Sequence, residues 1–129
     1  MTFLDYSHVT LTDEFIAHVL FGEEGDPGKG GHLSGMKHEN KTEFPPDWSQ
    51  EHIVTALQSV LKQPDFVELV GARVFLKRIV AGVEIRVELA PNKSVLIPFA
   101  AYPLRGPGVI QNVMGVQVPK PFHNLRNGR

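Results

Sequence analysis

Gly82-Val83-Glu84-Ile85-Arg86-Val87-Glu88-Leu89 decides the fold. Apolar residues alternate strictly with charged ones, the period of a β-strand with one dry face and one wet face. Ala81-Gly82 before it and Pro91-Asn92-Lys93 after it are turn-forming, so the strand has neighbours at about 72–80 and 94–101. The period of two begins at Phe66. Three or four consecutive strands joined by short turns make an antiparallel meander. Beyond it, residues 103–121 hold four prolines and three glycines, which predicts an irregular tail with one strand near Val113–Val118.

Upstream of Phe66 the period changes. Ile53, Ala56, Leu57, Val60 and Leu61 share one helical face, and Pro64-Asp65 ends that helix. Ser49 can cap its first turn, and Trp48 can staple across the cap onto Ile53. His52, in the first turn, is expected to be exposed. An earlier helix carries Phe15, Ile16, Val19 and Leu20, with Thr12 or Asp13 at its start and Gly22 at its end. Helices first and strands after, with no internal repeat, predict an α+β domain. Its N-terminal helices pack on a C-terminal antiparallel sheet meander.

The 129 residues fit one domain spanning 1–129, large enough to bury a core without cross-links. Cysteine is absent, which excludes disulfides and thiolate zinc sites. No apolar run reaches the ~18 residues that span a bilayer. Met1-Thr-Phe-Leu-Asp-Tyr-Ser-His8 lacks the basic start of a signal peptide, so a cytoplasmic site of action is expected. The net charge of −1 hides an asymmetry. All fourteen acidic residues lie at or before Glu88, whereas Lys93, Arg105, Lys120, Arg126 and Arg129 follow it unopposed. Such polarity can build a local basic face that attracts phosphates.

The chemistry-bearing stretch runs from His18 to Trp48. His18 falls near the C-terminus of the first helix, at the edge of its apolar stripe, where the helix dipole favours a cation. Residues 22–31 contain five glycines and one proline, a loop whose backbone can approach a ligand closely. That loop delivers His32, and Lys37 and Lys41 follow. Metal-free RNA cleavage needs a base for the 2′-OH, an acid for the leaving 5′ oxygen, and a cation at the phosphoryl oxygens. Two histidines and a lysine supply these, because histidine titrates near neutral pH. Two other readings stay open. His18 and His32 could join Asp26 or Glu23 around a hydrolytic metal, although no rigid ligand spacing is present. Alternatively the chain could be an RNA-binding module without catalysis. His8, His38, His52 and His123 have no partner motif, although His38 is close enough in sequence to Lys37 and Lys41 to join a phosphate site.

The pieces resemble, in order along most of the chain, the bacterial EndoU-type endoribonucleases, which include toxin domains and stand-alone enzymes. The resemblance rests on His18-Val-Leu-Phe-Gly-Glu23, Gly30-Gly31-His32, Lys41-Thr-Glu-Phe-Pro-Pro-Asp-Trp-Ser49 with its helix, the Gly82-Val83-Glu84-Ile85 strand, and Ala101-Tyr102-Pro103. It implies the compact fold shared by several RNase toxins of EndoU/BECR type, with His18 and His32 as acid and base. It implies Lys41 as the cation, with Lys37 as its rival, and Lys37, Gly31 and Tyr102 on the substrate side. The family's closing Thr-Ala-Tyr-Pro reads Ala100-Ala101-Tyr102-Pro103 here, so a threonine hydroxyl is missing. The implied reaction is cleavage of single-stranded RNA 3′ of uridine to a 2′,3′-cyclic phosphate, without metal or other cofactor. The implied protein is a monomer with no membrane partner, and it would have an immunity protein if it is a toxin domain.

Overall fold

A computed structural model describes residues 5–23 and 29–122. Among these residues there are two helices, and seven strands that form two antiparallel sheets. Helix α1 spans Asp13–Phe21, and the Thr12 hydroxyl accepts the Phe15 N–H at 3.1 Å. Helix α2 spans Gln50–Lys62, and Ser49 Oγ accepts the His52 N–H at 3.0 Å. Ser49 is the cap expected of α2, and of the two candidates for α1 it is Thr12, not Asp13, that caps; each satisfies one orphan donor of the first turn. His52 departs from expectation. Its ring stacks on that of Trp48, 4.1 Å between centroids, and is half-buried there.

Strands β2 (Phe66–Val70), β3 (Arg73–Val80), β4 (Val83–Asn92) and β5 (Val95–Arg105) form the meander, in that order. Between them lies β4, whose Val83, Ile85, Val87 and Leu89 are all at most 1% exposed. They meet Ile53, Leu57, Val60 and Leu61 of α2 in a single core. Each such aliphatic side chain, fully buried, stabilises by roughly 1.5–3 kcal/mol. Helix α2 packs on β3 and β4, whereas α1 makes its sheet contacts with β5.

Two features of the C-terminal half correct the sequence reading. Strand β5 does not stop near residue 101 but continues to Arg105, through Pro98 and Pro103. Proline is tolerated there because β5 is the edge of the four-stranded sheet. Moreover, Glu88 pairs with Ala100 but Leu89 with Pro98, so Phe99 is an extra, bulged residue; Leu104 is a second. The first bulge reverses the pleat. Leu96 packs on the core before it, and Ala101 and Pro103 are buried after it. Ala100 and Tyr102 are thereby placed on the opposite face.

The second correction concerns the tail, which is not irregular. Ile110–Val113 (β6) and Val116–Pro119 (β7) form a hairpin, in register Val113↔Val116. Met114 and Gly115, read from sequence as strand interior, are its two-residue turn, with φ of 52° and 81°. Strand β6 pairs in turn with Thr42–Glu43 (β1), giving a three-stranded sheet β1-β6-β7. This sheet packs beside the free edge of β5. There the Thr42 hydroxyl donates to the Pro103 carbonyl at 2.6 Å.

Candidate active site

The last turn of α1 is the foundation of the site. Segment 31–33 runs along it: the Gly31, His32 and Leu33 N–H groups donate to the carbonyls of His18, Val19 and Leu20 at 3.1, 2.7 and 3.0 Å. The helix leaves the Val19 and Leu20 carbonyls orphaned, whereas the His18 carbonyl also accepts the Gly22 N–H at 2.9 Å. The two histidines are thereby brought together although fourteen residues separate them in the chain. The approach is so close that a Cβ on Gly30, which has φ +67°, would lie 2.0 Å from the His18 carbonyl oxygen. Only glycine fits there.

His32 is held from three sides and is 5% exposed. Its carbonyl accepts the Phe44 N–H at 2.8 Å, and its ring stacks on Tyr102 with centroids 5.6 Å apart. Its Nδ1 lies 2.7 Å from the Thr42 carbonyl. A carbonyl only accepts, so Nδ1 carries the hydrogen and Nε2 carries the free lone pair. Burial lowers the His32 pKa to about 4, outweighing the Thr42 carbonyl, which favours the charged ring; the Lys41 cation lowers it further. The imidazole is neutral at pH 7.

His18 is more open, with its side chain 20% exposed, and its Nδ1 lies 3.1 Å from Glu23 Oε2. Its ring stacks on Phe15, which fixes its plane. Tyr102 donates its hydroxyl to Glu88 Oε2 at 2.7 Å, and Arg86 Nε donates to the same oxygen at 2.7 Å. Burial first, and then the Glu88 carboxylate, push the Tyr102 pKa up to about 12, so it remains a phenol.

His18, His32, Lys41 and Tyr102 line one cleft of about 740 Å³. Lys29, Arg105 and Lys120 line it too, with Glu23 as the one carboxylate among the described residues that line it. The basic face expected from the C-terminal charge asymmetry is thus partly realised here, through Arg105 and Lys120. Arg126 and Arg129 lie outside the described residues. Lys37 is not in this cleft. It lines a separate cavity of about 320 Å³ with Glu39 and Asn112, and its N–H is held by Glu43. Gly31 does not line the cleft either. Its N–H is taken by the His18 carbonyl, and a Cβ there would lie 2.3 Å from His38 Nδ1, so its observed part is structural. His38 sits beneath the glycine segment with Nδ1 buried and unpartnered among the described residues. His8 stacks on Tyr6. Asp26 and His123 lie outside the described residues. Among the described residues, no three His, Asp or Glu side chains converge as a metal-ligand set.

Several residues of the site carry no sequence signal. Glu43 is 1% exposed and accepts the N–H groups of Gly35 and Lys37 and the Asn112 amide, at 2.9, 2.8 and 3.0 Å. It pins the 35–37 loop to β6 and so fixes the segment that carries Lys41. The Lys41 carbonyl accepts the Asn112 N–H at 3.0 Å, which clamps that lysine's backbone. Thr42 orients His32 through a main-chain oxygen, and a backbone contact leaves no mark on residue type. Gln111 and Lys120 reach the cleft from the hairpin that the sequence reading left as a tail.

Residues 15–105 match the family model of the bacterial EndoU nuclease. The chain belongs to this family. The matched EndoU span contains both histidines, Lys41 and Tyr102, and it ends at the last residue of β5, so Gln111 and Lys120 lie beyond it. No curated protein and no solved structure matches the chain. Family membership makes this a nuclease-type chain with RNA as the substrate its family implies. No helix among the described residues is long and apolar enough to cross a membrane.

Proposed function

We propose that this EndoU-family chain is a metal-independent endoribonuclease. It cleaves single-stranded RNA 3′ of uridine and leaves a 2′,3′-cyclic phosphate and a 5′-hydroxyl. The observation that carries this reading is the convergence of a neutral, tautomer-fixed His32, a more open His18 and Lys41 in one basic cleft. His32 Nε2 accepts the 2′-OH proton as the 2′ oxygen attacks phosphorus. The P–O5′ bond breaks, and His18 delivers a proton to the leaving oxygen. Lys41 faces the negative charge growing on the phosphoryl oxygens. Each well-placed proton transfer contributes about 10²–10⁴-fold. Tyr102, stacked on His32, closes the base side of the cleft. The protein acts as a monomer on cytoplasmic RNA, and an immunity protein accompanies it if it serves as a toxin domain.

One observation favours a second reading. Ala100 lines the cleft where a family threonine would offer a hydroxyl, as expected of a binding module that has lost catalysis. The test is cleavage of a short RNA with a single uridine in excess EDTA, with mass analysis of the ends. Scission after uridine with a cyclic phosphate, abolished in His18→Ala and His32→Ala, is expected. RNA retention without scission would establish the binding module, and activity restored by added metal would establish a metallo-hydrolase.

A further inference from the structure

The face of the meander away from α2 carries a pattern that the cleft does not use. Three cations there lie over three aromatic rings. The Arg73 guanidinium is 4.7 Å from the Phe99 centroid, Arg86 is 4.4 Å from Phe75, and the Lys77 ammonium is 4.6 Å from Phe66. Lys77 on β3 stands directly opposite Arg86 on β4. Like charges in facing positions destabilise a sheet unless a counter-ion lies over them. Glu88 neutralises Arg86, with its Oε2 2.7 Å from Nε, and Glu84 is bound by Arg105 at 3.2 Å, so Lys77 is the member of the pair left without an ion-pair partner among the described residues. Glu68, opposite Phe75, is the remaining acid of the face. The surface is continuous with the cleft, because Phe99, which backs Arg73, also lines the cleft.

We infer that this open sheet face is an extended binding platform for the single-stranded RNA that flanks the scissile nucleotide. Bases stack on the Phe-backed guanidinium planes and on exposed Phe66, and the phosphates meet Lys77. Single strands are held by this combination of π faces and cations, without readout of sequence. The inference rests on the ribonuclease reading, since it takes the cleft's substrate as the strand that continues over the face.

The test is binding by fluorescence anisotropy, with two probes carrying one 2′-O-methyl uridine that cannot be cut: a trinucleotide and a twelve-nucleotide RNA. The full chain is expected to bind the longer probe at least about ten-fold more tightly, and Phe66→Ala and Lys77→Glu each to erode that advantage by about five-fold or more. Lys77→Arg restores it, and thermal melting of each variant separates lost binding from lost folding. Equal affinity for the two probes, or an advantage that neither substitution changes, overturns the inference and leaves the face to a protein partner. Cleavage of a uridine dinucleotide by the same protein reads the cleft alone. Cleavage without a length effect refutes the platform only. A Lys77-dependent length effect without cleavage refutes the nuclease reading and leaves the platform standing.

Discussion

Acidification should unfold this protein partly through His32. Its pKa is about 4 in the folded state, against 6.5 for an ordinary histidine, because burial disfavours the imidazolium. Between those values the unfolded chain binds a proton that the folded chain does not, so stability falls as pH falls. The contribution is complete above pH 6.5 and lost progressively down to about pH 4. Linkage puts the loss between pH 7.5 and pH 5 at about 2 kcal/mol for this single group. The assay is urea denaturation at both pH values for the natural chain and for His32→Asn, whose amide can still donate to the Thr42 carbonyl but does not titrate. The natural chain should lose about 2 kcal/mol more than the variant across this interval. Equal losses would refute the view that a buried neutral imidazole stands at this position. The same protonation removes the proposed base, so kcat/KM should decline only as pH approaches about 4, well below the usual histidine range.

Three further outcomes are expected. Gly30→Ala should destabilise by at least ~2 kcal/mol and abolish cleavage, because its methyl collides with the His18 carbonyl at a left-handed φ; an unchanged melting temperature would contradict the close approach. Tyr102→Phe should cost about 1 kcal/mol for the lost bond to Glu88 but keep most activity, whereas Tyr102→Ala should lose far more by removing the stack on His32; steady-state kinetics and melting on both variants decide this. Lys41→Ala should lower kcat by about 10²–10³-fold and Lys37→Ala should leave it near normal, since only Lys41 lines the cleft with the histidines; equal effects in the cleavage assay would undo the assignment.

Much of the site was legible because it is local in sequence. The glycine-rich stretch before His32 signals close backbone approach to a ligand, whereas the approach that Gly30 makes is to the His18 carbonyl. The Lys41-Thr-Glu-Phe stretch favours Lys41 over Lys37 as the cation, and Lys41 lines the cleft whereas Lys37 lines a separate cavity. The hairpin 110–119 was not legible. Its strands are short and largely exposed, so they carry no burial pattern, and the prolines at 107 and 119 read as loop. Met114 hid the turn, since φ > 0 is unusual for a bulky residue. Pairing with β1, a two-residue strand, is a long-range event with no periodicity to betray it.

The sequence alone determined the α2 face and its Ser49 cap, the alternation along β4 and the family-type order of His18, His32 and Lys41. Each of these is a local rule, in which side-chain period or backbone allowance is set by residues a few positions apart. Only the tertiary structure decided which nitrogen of His32 is free and how far its burial lowers its pKa. The same holds for the bulge at Phe99 that turns Tyr102 toward the cleft, and for the reach of Arg105 and Lys120 to the same cleft. These depend on a main-chain oxygen, a register shift and distances between segments up to about a hundred residues apart, quantities that a string of residue types does not contain.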